Sequence, residues 1–407
     1  MIPNLAMRNL VFEMPKINIR RVTAELILTV ICVCILLWVF CADNDWLDRR
    51  FLPDFRIPQA HLVAGLQVVR VFAAAAALFL FIAVRPWVGR LVQRRSMLSL
   101  AGDCLPTFVA VVLAVVAAEF ILRATVQPRL EWKEAVHEPR RVPDRVLGFD
   151  YVAGRTSYAD VGGRRIQYVF DPAGLRVAGP GDRVDLGRPT IVFLGESVMG
   201  GFGLTWKESI PARVQALTGV QSADMSVEGY SIDQAYLRFR RRWSDVRRPV
   251  AVVSMFLPSA VYRTLEASHP GLRPGLSWRP GRDEWWLVRV LRRRVPYRSP
   301  EEVEAAIVVA RQVFQATDRM ARARGARHLV VVPVLSPEPE AERKLRRRVL
   351  EGSGVPYIVV PVDRRWRLPN NRHPNAWGAW VLAEAIARRL QASDARIAAP
   401  GAVSGVR

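Results

Sequence analysis

Ser197 sits in the run Gly195-Glu196-Ser197-Val198-Met199-Gly200-Gly201-Phe202-Gly203, directly after the apolar stretch 190–194. A serine at the carboxyl end of a strand, set among glycines, is open to the acyl group of a substrate. The spacing departs from the G-x-S-x-G elbow, and no Lys-Ser/Thr follows to make a phosphate loop. Alone, such a turn reads equally well as a structural one. Far downstream, Leu368-Pro369-Asn370-Asn371-Arg372-His373-Pro374-Asn375 follows a second apolar stretch, 357–362. Alone, His373 reads as a helix-capping loop residue. A serine after the first strand of a parallel sheet and a histidine after its last can nevertheless meet above the same end of that sheet. Such a pair supplies a nucleophile and the general base that activates it.

The elements that must position these two residues start at residue 190. Apolar runs of strand length alternate with helical patterns: 190–194 then 207–217, 223–227 then 232–246, 250–257 then 301–324, 328–334 then 338–350, and 357–362 then 375–390. Five βα units with continuous apolar strands imply an α/β fold, a parallel sheet covered on both faces. Ligands of such sheets bind outside the carboxyl ends of the strands. One long interruption, 263–300, separates the third strand from its helix. Residues 126–189 are polar and rich in Gly, Arg and Asp, with short alternating stretches such as 165–170 that suggest a hairpin or small sheet.

Taken in order, these segments resemble the GDSL/SGNH hydrolase superfamily over about residues 188–392. Gly-Glu-Ser stands where the family has Gly-Asp-Ser, and the resemblance makes Ser197 the nucleophile. Val227-Glu228-Gly229-Tyr230-Ser231 resembles the second block, whose glycine amide, here Gly229, joins the Ser197 amide in the oxyanion hole. His373-Pro374-Asn375 with Gly378 resembles the fifth block. The third block departs: where the family supplies an asparagine donor, Phe256-Leu257-Pro258-Ser259-Ala260 offers Pro258, which has no N–H, and the hydroxyl of Ser259 as a stand-in. Losing one oxyanion donor costs about 10²–10³ in rate. The orienting aspartate, three residues before the histidine, is here Asn370. Its amide oxygen can accept the imidazole N–H, although Asp→Asn in a serine triad costs roughly 10⁴ when the wrong tautomer results.

The resemblance implies a three-layer, flavodoxin-like domain with a five-stranded parallel sheet. It also implies acyl-ester hydrolysis or transfer on a cell-envelope glycan or lipid, without cofactor or metal. Its rival is a catalytically silent SGNH domain that binds glycan or scaffolds an envelope polysaccharide complex. The topology is similar to accessory acetylation proteins of exopolysaccharide systems. Three spans are too few to carry an acyl group across a membrane, so transfer needs a partner membrane acyltransferase.

Three runs ahead of the domain, at about 22–41, 62–84 and 105–122, approach the roughly 20 apolar residues that cross a hydrocarbon core. Buried core helices are the bland alternative. A cleaved signal peptide is a second one for the first run, but no small-x-small site follows it. Arg8, Lys16, Arg20 and Arg21 precede the first run, and Arg85, Arg90, Arg94 and Arg95 lie between the second and third without acids. The loop between the first two runs balances Arg49, Arg50 and Arg56 against four aspartates. By the positive-inside rule the N-terminus is cytoplasmic and everything after the third run is outside, in the periplasm of a bacterium with an outer membrane. The expected organisation is a membrane anchor at 1–125, an extracytoplasmic lead-in at 126–189, the α/β domain at 190–395 and a flexible tail at 396–407.

The four cysteines all lie at or before residue 104, and no ligand spacing suggests zinc. The formal charge of +22 raises nucleic acid as a partner. The arginines are scattered without a recognised motif, and an extracytoplasmic domain would not meet nucleic acid. Arg70 and Glu119, charges inside the spans, are expected to pair. The stretch 285–294 mixes tryptophans with a basic run, and reads either as a helix packed on the sheet with a solvated Arg face or as one lying on the membrane surface.

Overall fold

The computed structural model describes residues 18–52, 59–94, 97–131, 140–335, 337–369, 371–393 and 397. The chain divides into two units, residues 1–46 with 62–117, and residues 47–61 with 118–407.

In the first unit, helix α1 (Ile19–Cys41) precedes a short α2 (Asn44–Asp48). Helix α3 (Gln59–Phe79) passes through a π-helical turn at Leu80–Val84 into α4 (Arg85–Arg94), and α5 (Met97–Glu131) runs on into the second unit. Three stretches are long and apolar enough to cross a membrane: Ile19–Cys41, Ala60–Arg94 and Cys104–Thr125. They contain the three expected runs, the second continuing beyond residue 84. Helix α1 packs on α4, and the approach is close enough at Gly89 that any side chain there would collide with Glu25. Arg70 donates to the Val39 carbonyl at 2.8 Å.

In the second unit, β1 (Arg141–Asp144) and β2 (Gly148–Tyr151) form a hairpin. Strands β3 (Thr156–Val161), β4 (Arg164–Phe170) and β5 (Arg176–Val177) form an antiparallel sheet. The βα succession then begins: β6 (Pro189–Leu194), α6 (Ile210–Thr218), β7 (Gln221–Asp224), α7 (Ile232–Arg242), β8 (Arg248–Met255) and α8 (Pro258–Thr264). The interruption holds a small hairpin, β9 (Gly271–Arg273) with β10 (Ser277–Arg279), and helix α9 (Trp286–Arg294). The chain closes with α10 (Pro300–Arg322), β11 (Arg327–Leu335), α11 (Glu340–Leu350), β12 (Tyr357–Val362) and α12 (Ala376–Ser393).

The main sheet has the order β12-β11-β8-β6-β7, and every pairing in it is parallel. Alternate side chains of each strand enter opposite cores, which is why the strands read as unbroken apolar runs. Val192, Leu194, Val252 and Val330 pack with Phe239 of α7 and Phe314 of α10. Ile191, Phe193, Val253 and Val331 pack with Val214 of α6 and Leu382 of α12. The chain order switches direction at β6, whose neighbours are β7 and β8. The crevice at the carboxyl end of β6 is therefore the place where this topology opens a ligand site.

The lead-in packs into the same core. Leu147, Tyr151, Ile166, Tyr168, Phe170 and Leu175 join the α7–α10 side. Arg238 of α7, only 1% exposed, reaches Asp150 at 2.8 Å and donates to the Gly174 carbonyl at 2.9 Å. Arg241 binds both carboxylate oxygens of Asp144, at 2.7 and 2.9 Å. Ile397, within the segment expected as a tail, is buried in the α6–α12 core; the rest of 394–407 lies outside the described residues.

Glu119 departs from its expected pairing with Arg70. Its carboxylate accepts from Arg123 at 2.7 Å and from the backbone N–H groups of Trp286 and Leu287, both at 3.0 Å. The first-turn amides of a helix are unpaired donors that attract a carboxylate, and α9 supplies them.

Candidate functional site

Ser197 follows β6 by three residues, in a turn that carries the chain away from the sheet. The turn is held by hydrogen bonds from Gly200 N to Glu196 O at 2.9 Å and from Phe202 N to Ser197 O at 2.8 Å. The lead-in clamps the rest of it. Buried Arg176, on β5, donates to the carbonyls of Gly200 (2.5 Å), Gly201 (3.0 Å) and Leu204 (2.5 Å). The Tyr168 hydroxyl accepts from Gly203 N at 2.8 Å. Gly203 has φ +73°, and a side chain there would run into Leu368 and Val161, so backbone and space both demand glycine.

His373 is brought in by a tight loop between β12 and α12. Leu368 N donates to the His373 carbonyl, and Asn375 N to the Trp366 carbonyl, both at 2.9 Å. Asn375 then caps α12, its side-chain oxygen accepting from Gly378 N at 3.0 Å.

The structure brings Ser197 and His373 together: Ser197 Oγ lies 2.7 Å from His373 Nε2. Behind the ring, Asn371 Oδ1 lies 2.6 Å from Nδ1 and also accepts from the His373 backbone N–H at 3.1 Å. An amide oxygen only accepts, so Nδ1 carries the proton and Nε2 presents its lone pair to the serine. The described residue that orients the imidazole is thus two positions before it. Asn370, expected in that role, lies outside the described residues.

Charges ring this pair. Glu196 Oε2 competes with His373 Nε2 for the single Ser197 hydroxyl proton; its carboxylate accepts from Val198 N at 3.1 Å and meets Arg263 at 3.5 Å. Buried Glu228 lies against Arg141 at 3.1 Å and Arg140 at 3.5 Å. Burial pushes the His373 imidazole below its ordinary value; the carboxylates of Glu196 and Glu228 pull it back up, and Arg263 presses it down. The Phe202 ring covers the imidazole at 4.7 Å between centroids.

The expected oxyanion donors fall out unevenly. Gly229 sits in the turn after β7 with φ +81°. That turn is fixed by the lead-in: Glu228 N donates to the Tyr151 hydroxyl at 3.1 Å, and the Tyr230 hydroxyl to Phe149 O at 2.6 Å. No hydrogen bond among the described residues uses the N–H of Ser197 or of Gly229. Ser259 is buried in the first turn of α8, behind Pro258. No contact among the described residues ties it to Ser197 or His373.

No protein-family model matches the chain, and no curated protein matches it in sequence. Among solved structures it is similar to an acetyl xylan esterase from the rumen bacterium Butyrivibrio proteoclasticus, at 11% identity and a TM-score of 0.33. The match covers 52% of this chain and 66% of that protein. It is also similar to a family two carbohydrate esterase from Cellvibrio japonicus (10%, TM-score 0.32, 54% of this chain and 64% of that one). A salicylyl-acyltransferase from a tetracycline biosynthetic pathway matches at 15% and TM-score 0.29, over 52% of this chain and 57% of that one.

A second serine–histidine contact lies inside the sheet, where Ser254 Oγ is 2.9 Å from His328 Nε2. Burial pushes that imidazole down to about 3, too weak a base for neutral pH. Its Nδ1 stands 3.9 Å from Asp318 without a hydrogen bond. Ser254 also lies within β8, where the backbone is committed to the ladder. The pair satisfies buried polar groups and lacks the machinery gathered at Ser197. Among the described residues no cluster of His, Cys, Asp and Glu could hold a metal ion.

The sequence reading missed Arg176, Tyr168 and Tyr151, which hold the two turns, and Asn371. The Asn-Asn pair at 370–371 was a signal for the last; nothing local marks the other three.

Proposed function

We propose that this protein is an acyl-ester hydrolase or O-acyltransferase of the SGNH type, acting on a cell-envelope glycan or lipid. The observation that carries this reading is the contact of Ser197 Oγ with His373 Nε2 at 2.7 Å, with Asn371 Oδ1 behind the ring. Ser197 Oγ attacks the acyl carbonyl carbon as His373 takes the hydroxyl proton. The resulting oxyanion is held by the N–H groups of Ser197 and Gly229, which have no other acceptor among the described residues. Collapse of the tetrahedral intermediate breaks the C–O bond, and the leaving alkoxide takes the proton from His373. The acyl-serine is then attacked by water, giving hydrolysis, or by an acceptor hydroxyl, giving transfer, with His373 again as base.

In the proposed setting the anchor lies in the inner membrane with the N-terminus cytoplasmic and the domain in the periplasm. Transfer would draw on a partner membrane acyltransferase. Pro258 and the isolated Ser259 favour a second reading, a silent domain that binds glycan or scaffolds an envelope complex. A serine-reactive phosphonate separates the two. On the first reading it labels Ser197 in the folded full-length protein, and Ser197→Ala and His373→Ala each abolish labelling, because nucleophile and base act as a unit. Absence of labelling in folded wild type would leave the binding reading.

A further inference from the structure

Among the described side chains of helix α9 the buried anchor is Trp286 alone, at 2% exposure. Leu287 and Val288 are partly exposed, and Leu291 (57%) and Val295 (58%) are open, as is Trp285 (51%) at the N-cap. Positions 287, 288, 291 and 295 recur at helical spacing and so share one side. That side is apolar, partly covered at Leu287 and Val288 and open at Leu291 and Val295. The sequence of α9 carries four arginines and no acid.

Two tethers fix where this side lies. At the start of α9, Trp286 and Leu287 donate their N–H groups to Glu119, and Asp283 pairs with Arg123 at 3.0 Å. Both partners belong to the third apolar span, Cys104–Thr125. Glu119 lies six residues inside its end, roughly 9 Å along the helix axis at 1.5 Å per residue. Just past α9, Arg298 N donates to the Arg50 carbonyl at 2.9 Å, and Tyr297 packs edge-on against Phe51 at 5.9 Å between centroids. Residues 50 and 51 follow the first span, Ile19–Cys41, by about ten residues. The helix is thus held at both ends by chain that has just left, or is about to enter, an apolar span.

We propose that α9 is an interfacial helix. It lies in the headgroup layer of the bilayer, with Leu287, Val288, Leu291 and Val295 turned to lipid and Trp285 at the water boundary. Interfacial helices sit about 5–10 Å into the headgroup–acyl boundary, and Glu119, near the end of the third span, holds the first turn of α9. Tryptophan favours that zone because one end of its ring system is apolar and the other donates a hydrogen bond. The carboxylate of Glu119, costly to leave in hydrocarbon, is satisfied there by two amides and Arg123. The proposal rests on the span reading and is independent of the chemistry at Ser197.

The test uses the full-length chain in nanodiscs of phosphatidylcholine and phosphatidylglycerol, with Cys32, Cys34, Cys41 and Cys104 replaced by alanine. An environment-sensitive fluorophore is attached in turn through Leu291→Cys, Leu113→Cys in the third span and Tyr158→Cys on β3. All three positions are exposed, and circular dichroism checks that each variant is folded. Lipids carrying a nitroxide high on the acyl chain are expected to remove most of the emission at 291 and at 113, and to leave 158 bright. Quenching at 113 without quenching at 291 overturns the interfacial helix while keeping the span. This holds even if the 291 emission is shifted to the blue, since that outcome means a protein surface covers α9. Equal quenching at 291 and 158 overturns it as well. Loss of quenching at 113 removes the span reading itself.

Discussion

Replacing Asn371 probes the one part of the candidate site where an uncharged group stands behind the imidazole. Its oxygen accepts from both the backbone N–H and the Nδ1–H of His373, so it sets the ring's orientation and its tautomer without adding charge. Asn371→Ala removes both roles, and labelling of Ser197 by the phosphonate should fall about 10²–10⁴-fold, the range seen when an orienting group or the right tautomer is lost. Asn371→Asp keeps the geometry and adds a negative charge. At about 4 Å from the ring centre and an effective dielectric near 20, the attraction to an imidazolium is at most about 4 kcal/mol. Carboxylates beside a cation typically shift a pKa by about 1–3 units. If about 2 kcal/mol of this reaches the transition state, labelling accelerates roughly 30-fold.

The pH profile supplies the sign. The neutral imidazole is the base, and burial holds its pKa below the ordinary value. Wild-type labelling should therefore rise with pH through a midpoint below about 6.5 and stay flat above it. In Asn371→Asp the midpoint moves up. The assay is the second-order labelling rate from intact-protein mass between about pH 4.5 and 8.5, a range that brackets the histidine titration. Wild-type rates in Asn371→Ala, with a large loss in Asn370→Ala, would refute the assignment and give the orienting role to Asn370. An unmoved midpoint in Asn371→Asp would refute the electrostatic reasoning.

Arg176→Ala removes three carbonyl contacts made by a buried guanidinium. It should cost at least about 3 kcal/mol of stability in a denaturant titration and slow the labelling of Ser197. A variant as stable and reactive as wild type would mean that the turn stands without its clamp. Asp224, at the end of β7, is fully buried and its carboxyl is pushed up to about 6, chiefly by that burial. The native state therefore binds more protons than the unfolded chain between about pH 4 and 6, and stability falls as pH rises through that window by roughly 3 kcal/mol. Asp224→Asn should remove the fall and raise the melting temperature more at about pH 7.5 than at about pH 4.5; equal shifts at both would contradict it.

The five strands and their helices were legible because each strand is buried on both faces and each helix on one, so apolar runs and helical periodicity alternate cleanly. Ser197 and His373 were legible for the same reason: a parallel sheet gathers the loops beyond its strands at one end. The clamp on the Ser197 turn was not. Arg176 and Tyr168 act on carbonyl and amide groups 24 to 35 residues away, across a small sheet whose packing no local pattern specifies. Glu119 was misassigned because a charge inside a span invites a partner in another span. Its actual partners are Arg123, one turn on, and backbone amides 167 and 168 residues downstream; any helix start can supply the amides without a sequence signature. Asn371 was not singled out because the expected spacing of three belongs to an aspartate loop; Asn370, which that spacing named, lies outside the described residues.

The distribution of charge around Ser197 differs from a serine triad in a way that bears on rate. A triad places its carboxylate behind the histidine, where it stabilises the imidazolium and stays clear of the developing oxyanion. Here the group behind is neutral Asn371, and the carboxylate of Glu196 lies on the serine side. Glu196 therefore acts in two directions. Its charge favours an imidazolium at His373, yet it accepts the same Ser197 hydroxyl that His373 must deprotonate and would repel an oxyanion on the acyl group. Arg263, 3.5 Å from Glu196, offsets part of that repulsion. It opposes the imidazolium as well. In the proposed mechanism the amides of Ser197 and Gly229 would then carry the larger share of transition-state stabilisation, since their dipoles are already fixed by the turns that Arg176 and Tyr151 hold.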